Sequence, residues 1–181
     1  KAREKLSAAD FNKIAKEPAA LLETDTQHGL SLTQWAARRG YADNVISLLS
    51  IPGAQPFKML SQIGSGKPSQ SGDLFSRTTL HWAADTGILG DILPHIKTIT
   101  TETQQQDLYS ALEIDGKPFL HCIVQKFYTK ENSSPEKVAQ EIAAAKEFGA
   151  DINGLDRGGY TLFTRLINKA FSVNPAKTTT I

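Results

Sequence analysis

Few residues in this chain have the types and spacing that chemistry needs. His121 and Cys122 are adjacent, which invites a thiol nucleophile with an imidazole base. Consecutive side chains on a helix point about 100° apart, and no third group is spaced to orient the imidazole, as such a pair requires. Gly64-Ser65-Gly66-Lys67 has the look of a phosphate-binding loop. That loop needs Gly-x-x-x-x-Gly-Lys-Ser/Thr between a strand and a helix. Here position 61 is Ser, and Pro68 follows the lysine, which removes both the hydroxyl and an amide donor. The four His and one Cys show no metal-ligand spacing. Asn132-Ser133-Ser134 fits a glycosylation sequon and reads as a solvated loop. No acid, base, nucleophile or metal set converges, so no catalytic residue, no metal and no cofactor are expected, and this stretch is read as non-enzymatic.

Composition narrows the remaining classes. The chain has 181 residues, 20 Lys+Arg against 19 Asp+Glu, and 40% hydrophobic residues, enough for a continuous core. A formal charge of +1 argues against nucleic-acid binding by bulk charge. The lone Cys122 excludes an internal disulfide and fits a reducing compartment. No segment approaches the roughly 18 consecutive apolar residues that span a bilayer. The start, Lys1-Ala2-Arg3-Glu4-Lys5, has no signal-peptide core and no initiator Met, so an upstream stretch is expected to be missing.

The elements that position any site come from a repeat. Thr78-Thr79-Leu80-His81-Trp82-Ala83-Ala84-Asp85-Thr86-Gly87 is its clearest copy. An earlier one runs from Gly29 through Ser31, Gln34 and Trp35 to Gly40, a third from Pro118 through His121 to Val124, and a later one from Asp156 to Thr164. With Ser31, Thr78, Pro118 and Thr161 equivalent, the intervals are 47, 40 and 43 residues. Trp35 and Trp82 then occupy one repeat position, which fits packing between neighbouring helices better than a ligand-stacking pair.

These segments resemble the ankyrin repeat, whose pattern is Asp-x-x-Gly-x-Thr-Pro-Leu-His-x-Ala-Ala-x-x-Gly followed by a second helix ending in Leu-Leu-x-x-Gly-Ala-Asp-x-Asn. Val45 to Leu49 with Gly53-Ala54 matches the second helix and its turn, and Phe148-Gly149-Ala150-Asp151-Ile152-Asn153 matches that turn closely before running into Thr161. The resemblance implies an all-α fold: an ankyrin-repeat solenoid of about four irregular helix-turn-helix repeats with an N-terminal helical cap. It implies a capping and cross-repeat hydrogen-bonding role for Thr78 and His81. Pro118 departs from the pattern, and Gln34 and Thr164 replace the histidine, so those turns are expected to be less regular. Gly40, Gly87 and Gly149 sit where a left-handed conformation ends a helix.

Each interval exceeds the ankyrin period of about 33, so insertions are expected. The division is an N-terminal cap over 1–25, repeats over 26–57, 73–112 and 113–153, a Gly/Ser-rich insertion over 58–72, and a partial repeat over 154–181. The cap reads as helices with Phe11, Ile14, Leu21 and Leu22 on one face, divided by Pro18. Thr98 to Gln106 reads as a Thr/Gln-rich insertion followed by a helical turn over 107–112, and Tyr128 to Ser134 as a loop before a helix opened by Pro135. Thr178 to Ile181 makes a poor terminal cap, so further repeats or another domain are expected beyond it.

Ankyrin-like stacks bind proteins along a concave surface of hairpin turns and inner helices. Carried over, that surface offers Gln27, His28, Leu30, Arg38 and Arg39 from the first copy, and Leu74, Phe75, Arg77, Asp85 and Thr86 from the second. Ile114, Asp115, Lys117, Gln125 and Lys126 come from the third, and Arg157, Tyr160, Asn168 and Lys169 from the fourth. Basic residues outnumber acidic ones there, although the chain is nearly balanced. The expected function is a monomeric protein-interaction scaffold whose partner presents an acidic segment, with Leu74, Phe75 and Tyr160 as apolar anchors. Irregular repeats with polar loops also resemble ankyrin effectors that intracellular bacteria deliver into host cells, which implies a cytoplasmic site of action, in the bacterium's host or the cell itself. Two alternatives are a targeting region of a longer enzyme and a binder of acidic lipid or nucleic acid through the same basic groove.

Overall fold

The computed structural model describes residues 16–25, 29–64, 77–111, 116–123 and 134–173, with side chains to 168. Among these the chain is all-helical, as expected, with isolated bridge residues only, among them the pair Thr24 and Ser31. A 3-10 turn, Pro18–Leu22, precedes α1 (Leu32–Arg39), α2 (Ala42–Leu49), α3 (Pro56–Ser61), α4 (Thr79–Thr86), α5 (Leu89–Ile99) and α6 (Glu102–Ser110). Helical residues 119–123 (α7), Pro135–Glu147 (α8) and Leu162–Val173 (α9) follow. No helix among the described residues is long and apolar enough to cross a membrane.

Local signals set the helix ends. Ser31 caps α1: its hydroxyl accepts the Gln34 amide at 3.4 Å, and Gln34 Oε1 accepts the Ser31 amide at 2.9 Å. Gly40 and Gly87 end α1 and α4 with φ of 74° and 77°, a conformation that costs a β-carbon-bearing residue energy. Ser134 caps α8 through the Lys137 amide at 3.2 Å, with Pro135 at the first turn as its sequence predicts.

The first helices pack on each other, α1 against α4, and the second helices do likewise, α2 against α5 and α5 against α8. Ala36, Ala37, Ala83 and Ala84 are buried, and their small side chains let α1 and α4 approach. Val45, Leu48, Leu80, Leu89, Ile92, Leu93 and Ile96 fill the space between the helix layers. Each such side chain removed from water contributes roughly 1.5–3 kcal/mol.

Helix enters both expected insertions. Residues 58–61 of the first belong to α3 and bury Met59 and Leu60 completely. The Thr/Gln-rich stretch is helical from residue 102, because Thr101 and Gln104 form a reciprocal cap with bonds of 3.0 and 3.3 Å. α3 packs against α6, and α6 places Tyr109 edge-on to Phe148 at 5.0 Å between ring centres. Phe11 and Ile14 of the expected cap, and residues 65–76 and 124–133, lie outside the described residues, while Leu21 is buried as expected.

One side-chain position ties successive copies together. His81 Nδ1 lies 3.3 Å from the Thr78 amide and 2.8 Å from its hydroxyl, and Nε2 lies 3.3 Å from Lys117 O. An amide can only donate and a carbonyl can only accept, so Nδ1 is the acceptor and Nε2 carries the proton. Burial disfavours the charged ring and lowers its pKa to about 4; the Lys117 carbonyl opposes the shift and Arg77 adds to it. Gln34 does the same work with an amide: Nε2 donates to Gln62 O at 2.7 Å and Arg77 O at 3.2 Å. His121 Nε2 donates to Tyr160 O at 3.2 Å. In all three cases one contact reaches the carbonyl just before the next first-helix cap, that of Arg77, Lys117 or Tyr160. The expectation of a less regular turn at Gln34 is therefore corrected, because its carboxamide has an acceptor and a donor where the imidazole has them. Thr164 is too short to reach onward, and its amide bonds only to Thr161 Oγ1 at 3.1 Å.

Candidate partner-binding surface

The surface to test is the side formed by the turns before each first helix and by those helices. Its central feature is a stack of arginines on tryptophans. The Arg38 guanidinium carbon lies 5.1 Å from the Trp35 ring centre and 5.2 Å from that of Trp82. Arg39 lies 5.5 Å from Trp35, and Arg77 lies 5.1 Å from Trp82. Such contacts contribute about 0.5–1 kcal/mol each when exposed and more when desolvated. Trp35 Nε1 donates to Asp25 Oδ2 at 2.8 Å, and the same oxygen accepts the Leu30 amide at 3.1 Å, so one carboxylate fixes both the turn and the indole.

A second stacked pair closes the other end. Arg165 lies 4.3 Å above the Tyr160 ring, and its Nε donates to Asp156 Oδ2 at 2.7 Å. Asp156 Oδ1 accepts the amides of Gly158 at 2.8 Å and Tyr160 at 3.1 Å. Burial alone pushes the Asp156 carboxyl up, but the Tyr160 amide, Arg165 and the Gly158 amide outweigh it and hold it below the usual carboxylate value.

Several expected contact residues sit elsewhere. Leu30 is only 2% exposed; its amide and carbonyl are tied back to Asp25, which turns its side chain into the core. Arg77 is 7% exposed, because the chain entering the Thr78 cap lays it over Trp82. The Thr86 hydroxyl lies 2.8 Å from Ala37 O and 2.9 Å from Trp82 O, so its proton serves carbonyls at the end of α1 and within α4. Arg39, Arg157 and Tyr160 are exposed, and Arg38, Asp85 and Lys117 are half-buried. Gln27, His28, Leu74, Phe75 and Lys126 lie outside the described residues, as do the side chain of Lys169 and the neighbouring Ile114, Asp115 and Gln125. Asn168 is exposed.

Asp25 and the stacking role of the two tryptophans escaped sequence reasoning. A signal for the second existed: Arg38 and Arg39 follow Trp35 by three and four residues, the spacings that share a helix face. Cys122 is buried beside His121, whose Nε2 is engaged by Tyr160 O. His95, isolated in sequence, meets Ser50 Oγ at 3.0 Å; that hydroxyl also lies 2.8 Å from Ile46 O. The serine proton is thus directed to a carbonyl, away from any nucleophilic use.

No protein-family model matches the chain, and no curated protein matches it by sequence. By structure it is similar to a chain of the crystal structure of the yeast ribosomal protein Rps3 in complex with its chaperone Yar1. The TM-score is 0.53 and the identity 16%, over 93% of this chain and 90% of that one. At that identity the likeness is one of fold.

Proposed function

We propose that this chain is an ankyrin-type solenoid of about four irregular repeats and serves as a non-catalytic scaffold that holds a protein partner. The partner lies along a concave surface made by the turns and first helices. The observation that carries this is the series Gln34 to Arg77 O, His81 to Lys117 O and His121 to Tyr160 O, at 3.2, 3.3 and 3.2 Å. It sets successive turns in one row, so that residues left over from framework duty share one side. Arg38, Arg39, Arg157 and Tyr160 are those residues, with Lys117 beside them. Their charge suits a partner with an acidic segment, and arginine with an aromatic anchor is the composition of interface hot spots. The similar chain comes from a complex of a chaperone with a ribosomal protein, which supports a protein as the ligand class. In this proposal the protein acts as a monomer in a cytoplasm. The uneven repeats favour the cytoplasm of a host cell and delivery there as an effector.

Affinity capture followed by mass spectrometry tests it. Arg39→Glu with Arg157→Glu and Tyr160→Ala should abolish capture of the partner, since all three are exposed on the proposed surface. Lys137→Glu with Lys146→Glu, on the exposed side of α8, should leave capture intact. Equal loss, or equal retention, contradicts the proposed surface.

A further inference from the structure

The basic residues of this surface are not equivalent. Arg165 stacks on Tyr160 and carries its own carboxylate, Asp156, on the guanidinium edge. Arg38 lies over the rings of Trp35 and Trp82 at 5.1 and 5.2 Å, and Arg39 over that of Trp35 at 5.5 Å, yet neither has a carboxylate within ion-pair distance among the described residues. Asp85, which occupies on α4 the position Arg38 holds on α1, makes no ion pair with either.

Stacking decides what such an arginine can bind. An indole stacked on a guanidinium covers its face, while the five N–H donors lie in the guanidinium plane and stay available at its edge. A stacked arginine has also lost much of the side-chain freedom that binding costs a free one. Its edge matches a carboxylate through two parallel hydrogen bonds, which are shorter and stronger than neutral ones. Arg165 in the same chain shows a carboxylate at such an edge, where its Nε and a terminal nitrogen both meet Asp156 Oδ2.

Building on the scaffold function proposed above, we infer that Arg38, laid on the indoles of Trp35 and Trp82, and Arg39, laid on that of Trp35, form a preformed clamp for a run of Asp or Glu side chains in the partner. Asp25 is its positioning residue. It accepts the Trp35 Nε1 proton at 2.8 Å and the Leu30 amide at 3.1 Å, and so holds the indole on which both arginines rest.

The test uses a fluorescently labelled Asp/Glu-rich peptide and, beside it, a single-stranded oligonucleotide of equal charge. Arg38→Lys with Arg39→Lys keeps every charge but loses the planar fork, and should weaken peptide binding about tenfold or more. Lys137→Gln with Lys146→Gln removes two charges from α8 and should change it by less than about twofold. Asp25→Ala should weaken binding and shift tryptophan emission, while Asp25→Asn, which keeps an acceptor oxygen, should restore both. Arg39→Lys alone, at an exposed position, keeps the test intact if the double variant does not fold.

The clamp is overturned if the lysine pair binds as tightly as wild type, or if the α8 variant loses as much. It is overturned equally if the oligonucleotide binds as well with the same arginine dependence, or if wild type does not bind the peptide. The scaffold function fails separately, when surface and α8 variants capture the cellular partner alike.

Discussion

His121 donates from Nε2 to the carbonyl of Tyr160 at 3.2 Å, while its Nδ1 is buried without a hydrogen-bond partner among the described residues. The contrast with His81 lies in one residue. Thr78 supplies an amide and a hydroxyl to His81 Nδ1, whereas Pro118, at the equivalent position, has neither. An unmet buried acceptor costs about 1–3 kcal/mol.

Pro118→Thr should therefore stabilise the fold by about 1 kcal/mol, after allowing for the chain freedom that proline removes from the unfolded state. A urea unfolding midpoint that stays in place or falls contradicts this.

The two histidines should make stability depend on pH. Burial lowers the pKa of His81 to about 4 and also lowers that of His121, so in mild acid the unfolded chain binds more protons than the folded one. Their contribution is complete above the ordinary histidine pKa near 6.5 and is lost as pH falls from there toward 4. For His81 that loss amounts to about 3 kcal/mol. His81→Gln should fold, because Gln34 already fills the same position with the same bonds, and its unfolding free energy should fall less between pH 7 and 4. An unchanged slope places the pH response elsewhere.

The inserted α3 should be part of the core. Leu60→Ala should cost about 2–5 kcal/mol, since Leu60 is fully buried. Ile63→Ala, at a side chain 52% exposed, should cost less than about 0.5 kcal/mol. Equal melting shifts would mean that α3 does not dock.

Repeat residues were legible because each carries a local cause. Ser31, Thr78 and Pro135 mark helix starts by cap chemistry, and Gly40, Gly87 and Gly149 all take positive φ where helices end. α3 was not legible, because its signal is tertiary, and α6 was legible only as the turn over 107–112, although the Thr101–Gln104 cap is a local signal for its start. Six residues from Pro56 to Ser61 show too little periodicity to announce a helix, and Met59 and Leu60 become core only once the 3-10 turn, α4 and α6 surround them. The surface was legible as a charge bias only. A repeat register says that Arg77 precedes a cap; it does not say that its side chain folds back onto Trp82.

That placement separates the arginines energetically. Arg77→Glu should lower the melting temperature by several degrees, because it puts a carboxylate where a 7%-exposed guanidinium packs on an indole. Arg39→Glu, at an exposed position, should change it little. Joint replacement of Arg38, Arg39 and Arg77 by Glu is accordingly expected to destabilise the protein. Matching melting curves for the Arg77 and Arg39 variants would place both side chains in solvent.

Hydrogen–deuterium exchange of the protein with its captured partner tests the central claim most directly. The partner should slow exchange in the turns and first helices, over 29–39, 77–86, 116–121 and 156–163, and leave α2, α5 and α8 unchanged. Protection confined to α2, α5 and α8, with the turns exchanging as in the free protein, would contradict a partner held on the turn and first-helix face.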